Sequence, residues 1–249
     1  MLRLIKKIVL SIAGEFVWLI YSAIIFLIVP VVVRCKKNGK PPPLPSVLCV
    51  MHVGNFDPLF VVRATRRYRT KAVYQVDGPY PFLRFLYWSF WRFRVSQDPS
   101  IKESLNKRTT SDAVAYLQRK RTIMVYPEGY WNWKRRLYAG VAVIAHRANV
   151  PLIPVGIENG AVFDPDLDHL PPLKAARRVI REYSRRKWVR VHFGSPITPN
   201  PHLEEKDDVN RIMTMVETEF TDFYRRFYNE KGPIWLPEQH GVCTKDQDT

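Results

Sequence analysis

The run Ser46-Val47-Leu48-Cys49-Val50-Met51-His52-Val53-Gly54-Asn55-Phe56-Asp57-Pro58 decides the fold. Its first six residues carry no charge and are too few for a stable helix, which suits a strand buried on both faces. Asp57-Pro58 has the form of an N-cap followed by proline at the first helical position, so a helix over Leu59–Arg67 is expected. Strand, short glycine-containing loop and helix are the first part of a β-α-β unit. In open sheets of such units, ligands sit outside the carboxyl ends of the strands. His52 therefore stands where chemistry is usually done.

The same alternation continues on either side. Lys71–Val76, Arg92–Val95, Thr122–Tyr126 and Leu152–Ile157 read as further strands, and Trp188–Phe193 as a strand near an edge. Pro81–Trp91, Ser111–Lys120 and Gly140–Ala148 read as helices. Val209, Ile212, Met213, Val216, Phe220, Phe223, Tyr224 and Phe227 fall on one face at helical spacing, a core stripe. Asp207 and Asp208 at its start, and Arg225 and Arg226 near its end, suit the helix dipole. The expected class is α/β: a mainly parallel sheet flanked by helices, with an N-terminal membrane-embedded helix.

That N-terminal helix is read from Phe16 to Val33, 18 residues without a charge. A spanning helix needs roughly 20 apolar residues. A cleaved signal peptide fits poorly, because the run is long and no small-x-small site follows. Basic residues flank it on both sides (Arg3, Lys6, Lys7; Arg34, Lys36, Lys37, Lys40) and Pro30 bends it, so a span and an insertion into one leaflet both stay open. Lys40-Pro41-Pro42-Pro43-Leu44-Pro45 is a stiff spacer. The expected divisions are residues 1–40, membrane segment; 41–230, the folded domain; and 231–249, a polar tail.

With 249 residues and 46% hydrophobic content, the chain can bury a core and is not disordered. Its 39 Lys and Arg against 23 Asp and Glu give a formal charge of +16, which asks for an anionic neighbour: nucleic acid, acidic membrane or a phosphate-bearing substrate. The basic runs Arg63–Lys71 and Lys174–Arg190 suit anionic headgroups. The three cysteines, Cys35, Cys49 and Cys243, form no disulfide scaffold or metal-binding pair and fit a reducing compartment. No dinucleotide or P-loop glycine pattern is present.

Two sites carry the candidate chemistry. Across the Gly54 loop, Asp57 can meet His52, fix its tautomer and leave the other ring nitrogen to take a proton from a hydroxyl. The plainer reading is a helix cap beside a surface histidine. Val125-Tyr126-Pro127-Glu128-Gly129 also ends a strand, so Glu128 lies at the same end of the sheet, either binding a substrate hydroxyl or sitting solvated in a turn. Cys49 lies within its strand and reads as a buried thiol, not a nucleophile.

Taken together, these segments resemble the glycerolipid acyltransferases. His52 to Asp57 is similar to that family's H-x-x-x-x-D box, Tyr126-Pro127-Glu128-Gly129 to its F-P-E-G box, and Val150-Pro151-Leu152-Ile153-Pro154-Val155 to its V-P-[IL]-[IV]-P-V box, in the same order. The resemblance covers roughly Val47 to Ile157. It implies transfer of a fatty acyl group from acyl-CoA or acyl carrier protein to a lysophospholipid hydroxyl such as that of lysophosphatidate, with His52 as general base and Asp57 its partner. It implies no cofactor beyond the acyl-CoA or acyl carrier protein co-substrate, and no metal. Asn55, Glu128, Gly129, Arg94, Gln97 and Arg135 are the substrate-binding set it suggests.

Two departures stand out. Gln97 occupies the slot where the family often has an arginine, and Tyr130-Trp131-Asn132 replaces Thr-Arg-Ser after the glycine. Arg92, Arg94, Arg135 or Arg136 are candidate substitutes. A less acidic lipid alcohol is therefore an open acceptor. The expected setting is a membrane, with the active site facing the cytoplasm and no nucleic acid bound. A basic nucleic-acid-binding module and a catalytically dead membrane scaffold are the competing classes; the intact His52 and Asp57 argue against the second.

Overall fold

A computed structural model of the chain describes residues 35–39, 42–54, 57–67, 69–75, 93–96, 98–129, 136–160, 188–231 and 234–235, with the single positions 174, 177, 178 and 181. The expected membrane segment up to residue 34 and the expected helix Pro81–Trp91 lie outside these residues. Among the described residues no helix is long and apolar enough to cross a membrane.

The centre is β2 (Ser46–Val50), buried along its whole length. Around it the described strands form one seven-stranded sheet in the order β1-β7-β6-β2-β5-β3-β4. Here β1 is Cys35–Asn38, β3 Lys71–Gln75, β4 Phe93–Val95, β5 Thr122–Val125, β6 Leu152–Glu158 and β7 Val189–Phe193. Every neighbouring pair is parallel except β6 with β7. The helices are α1 (Asp57–Thr65), α2 (Pro99–Gln118), α3 (Gly140–Ala148) and α4 (Glu205–Tyr228).

Strand alternation assigns the faces. Gly156 on β6 and its register partner His192 on β7 face α4: a Cβ at Gly156 would lie 2.7 Å from Phe223, so only glycine lets the helix seat this closely. Cys35 and its partner Val189 face the other way, toward α1, where Cys35 Sγ lies 3.8 Å from the Phe60 carbonyl oxygen. The stripe of α4 is buried as its periodicity requires, from Val209 to Tyr224.

Four features differ from the sequence expectation. The sheet reaches back to Cys35, inside the stretch assigned to the membrane segment. Lys36 and Lys37 hid this strand, yet charged residues are what an edge strand carries. Helix α2 starts at Pro99, twelve residues before the expected Ser111, capped by the Asp98 carboxylate on Ser100 N–H at 2.9 Å. The polar tail starts later than residue 231: Ile234 is buried, and Trp235 Nε1 donates to Thr221 Oγ1 at 2.9 Å. Finally, Arg67, read within a headgroup-binding run, lies at the amino ends of β2 and β5. Its guanidinium donates to the carbonyls of Pro42 and Pro43, to Ser46 Oγ and to Thr122 Oγ1. It ties the proline spacer to the sheet at the end away from His52.

Candidate active site

Beyond Val50 the chain leaves the sheet as Met51-His52-Val53-Gly54, turns, and re-enters as α1. Asp57 sits in the first turn of that helix but does not cap it. Its Oδ2 reaches backward, accepting from Val53 N–H at 2.7 Å, Gly54 N–H at 2.9 Å and His52 Nδ1 at 2.9 Å. One oxygen thus holds both the loop backbone and the ring. The carboxylate is fully buried, whereas the His52 side chain is 18% exposed. Burial pushes Asp57 above the usual carboxylate range, against the lowering effect of His52 and the two N–H groups. With Nδ1 committed to Asp57, Nε2 is the ring nitrogen through which a proton can be exchanged.

Sheet register brings the second motif alongside. Cys49 of β2 lies beside Val125 of β5, so three residues further on Glu128 comes level with His52. The His52 backbone N–H donates to Glu128 Oε2 at 3.3 Å, and the Tyr224 hydroxyl of α4 donates at 3.0 Å to both carboxylate oxygens. The Tyr126 ring lies 4.8 Å from the His52 ring, tilted by 42°. Glu128 is 3% exposed. Burial, with nearby Asp57, raises it to about 8, although its two donors pull the other way. Gly129 follows at φ +72°, with Tyr138 packed so closely that a Cβ would come within 2.9 Å of its ring. Positive φ and crowding both require glycine there.

The expected residues therefore divide. His52, Asp57, Glu128 and Gly129 meet at the carboxyl ends of β2 and β5. Glu128 is buried, and its carboxylate accepts from the His52 backbone N–H. Arg94 is exposed on β4, three strands from β2, roughly 14 Å at ~4.8 Å per strand, and does not join the cluster. Asn55, Gln97 and Arg135 lie outside the described residues. Cys49 is fully buried, and burial, reinforced by Glu128, pushes its thiol well above the ordinary value. That state suits packing and not nucleophilic attack. Among the described residues no group of three His, Cys, Asp or Glu is arranged to hold a metal ion.

Tyr224 was read only as core. The signal was a hydroxyl within a phenylalanine-rich buried stripe, since a buried tyrosine O–H needs a partner. Two further histidine–carboxylate pairs were not anticipated. His146 Nδ1 meets Asp208 Oδ2 at 2.8 Å where α3 abuts the start of α4. His192 Nε2 meets Glu158 Oε2 at 2.8 Å, with Asn38 on its other nitrogen at 3.2 Å and Phe227 against its ring.

No protein-family model matches the chain, and no curated protein matches it. Among solved structures, the 1-acyl-sn-glycerophosphate (LPA) acyltransferase PlsC from Thermotoga maritima aligns over 88% of this chain and 98% of its own, at 16% identity and a TM-score of 0.44. At that identity and score the likeness decides neither fold nor activity for this chain.

Proposed function

We propose that the protein is a membrane-bound O-acyltransferase that moves a fatty acyl group from an acyl thioester to the hydroxyl of a lysolipid. The observation that carries this is the 2.9 Å bond between His52 Nδ1 and the buried Asp57, at the mouth of the sheet. His52 Nε2 takes the proton of the acceptor hydroxyl as its oxygen attacks the thioester carbonyl. Asp57 stabilises the imidazolium that forms. When the tetrahedral intermediate collapses, the C–S bond breaks and the imidazolium returns the proton to the departing thiolate. A thioester is already activated, so a stronger hydroxyl nucleophile is the main requirement, and a positioned base supplies it. The order of the His52–Asp57, Tyr126–Gly129 and Val150–Val155 segments adds support through their similarity to the glycerolipid acyltransferases.

Acyl-CoA and acyl carrier protein are both donors within this proposal. Lysophosphatidate is one acceptor, and a less anionic lipid alcohol is the second. Two observations favour the latter: Gln97 stands where an arginine is common, and Arg94 sits on the outermost strand. Attachment through the N-terminal membrane segment is part of the same proposal, supported by the uncharged run from Phe16 to Val33, with the active site facing the cytoplasm. The test is to offer purified protein a panel of lysolipids with each donor and identify products by mass spectrometry. A lipid heavier than its acceptor by one acyl group is the expected result. Thioester hydrolysis without any acylated lipid, or no thioester consumption across the panel, would overturn the proposal.

A further inference from the structure

We infer that Tyr224 is a positioning residue for His52, acting through Glu128 to clamp the backbone from which the catalytic ring projects. The two bonds form a continuous strut: Tyr224 hydroxyl to Glu128 carboxylate at 3.0 Å, and Glu128 Oε2 to His52 N–H at 3.3 Å. It joins α4 to the loop after β2, elements 172 residues apart in the chain. Among the described residues every hydrogen bond of the buried Glu128 carboxylate belongs to this strut. The Tyr224 ring is held independently by edge contact with Trp235 at 5.8 Å and by Tyr228 at 6.2 Å. Its hydroxyl is thus delivered from a rigid helix, not from a mobile side chain.

The strut works together with Asp57. Asp57 fixes the ring through Nδ1 and the following backbone through the N–H groups of Val53 and Gly54; the strut fixes the N–H of His52 itself. His52 is therefore held from both sides, which is what holding a base in productive geometry demands. Without the Tyr224 hydroxyl, the Glu128 side chain loses the contact that fixes it in place, which weakens its hold on the His52 N–H.

Tyr224→Phe keeps the ring and removes the hydroxyl. Hydrogen exchange of the His52 amide, followed by NMR on the full chain, is expected to speed up by about tenfold, the loss of about one hydrogen bond. Turnover should fall by about tenfold with the acceptor KM within about twofold, because geometry and not binding is lost. Tyr228→Phe, one turn further on, removes a hydroxyl bonded to the Ile157 carbonyl at 2.6 Å and should leave the His52 amide unchanged. Unaltered exchange in Tyr224→Phe overturns the strut, and faster exchange with unaltered turnover overturns its positioning role. If Tyr224→Phe folds poorly, Glu128→Met, which removes the acceptor at similar volume, decides by the same amide. The kinetic arm rests on the acyl-transfer proposal and the exchange arm does not. A wild-type chain that transfers no acyl group therefore refutes that proposal, while the amide still judges the strut.

Discussion

The bond between a histidine Nδ1 and a buried aspartate Oδ2 occurs twice among the described residues, at 2.9 Å in His52–Asp57 and 2.8 Å in His146–Asp208. The surroundings separate the two. Both oxygens of Asp208 are occupied: Oδ2 by His146 and the Asn200 N–H, Oδ1 by Arg211 through Nε at 2.9 Å and Nη2 at 2.6 Å. Burial pushes Asp208 upward, but His146, Arg211 and the N–H outweigh it, and the carboxyl ends below its ordinary value. Among the described residues no arginine pairs with Asp57, and its Oδ1 is buried without a hydrogen-bond partner. One carboxylate is neutralised by a guanidinium and binds α3 to α4. The other is met by His52 and two backbone N–H groups, with no guanidinium among the described residues. The same bond thus sits in two settings: beside a guanidinium that braces two helices in one place and, in the function proposed above, behind a proton-accepting ring in the other.

Exchanging the damage between the two pairs is the sharpest way to break this comparison. His52→Ala is expected to reduce acyl transfer by about a hundredfold to ten-thousandfold, the range for a lost general base, and to lower stability by about 1–3 kcal/mol as well, because buried Asp57 loses its ring donor. His146→Ala should cost stability alone: turnover stays near wild type, while stability drops by about 1–2 kcal/mol, because Asp208 keeps Arg211 but loses a hydrogen bond. Thermal melts and thioester consumption on both variants check it. Equal losses of activity in the two would remove the distinction.

A smaller effect lies in the pH dependence of stability. Folded Glu128 is raised to about 8 from an ordinary 4.5, so across that window the fold holds a proton that the unfolded chain has released. This contribution is fully present below 4.5 and is lost as pH rises through about 8, at no more than about 1.4 kcal/mol per pH unit. Asp57 is raised as well and acts with the same sign. Asp208, held low, acts oppositely: its contribution is present above the ordinary value of 3.8 and is lost as pH falls through its lower folded value. Glu128→Gln should therefore show a shallower loss of Tm between pH 5 and pH 8 than wild type, measured by calorimetry. A parallel pair of curves would show that Glu128 does not hold its proton in the fold.

What could be read from the sequence follows the same division. The His52–Asp57 pair was legible because strand, loop and helix are contiguous: five residues and one glycine suffice to bring the groups together. Strand β2 and the stripe of α4 were legible because apolar continuity and helical spacing are properties of one segment. His146 and Asp208 are 62 residues apart, and only the docking of α3 on α4 brings them into contact. Tyr224 reaches Glu128 across 96 residues for the same reason. The first half of α2 was missed because it buries almost nothing. Of its twenty residues only Thr109, Ala113 and Leu117 are buried, so no stripe announces it, although Asp98-Pro99 repeats the start signal of Asp57-Pro58. Strand β1 was missed because its lysines read as membrane-flanking charge. Arg67 shows the limit of charge counting, since a basic residue in a cationic run can be spent entirely on backbone carbonyls and hydroxyls.

Asp57→Asn tests the central claim most directly. The asparagine oxygen can still accept from Val53 and Gly54, so the loop and α1 remain in place, while the charge facing His52 is gone. Turnover measured beside Tm should fall by about a hundredfold or more at nearly unchanged stability. An Asp57→Asn enzyme that transfers acyl groups within twofold of the wild-type rate would contradict the account.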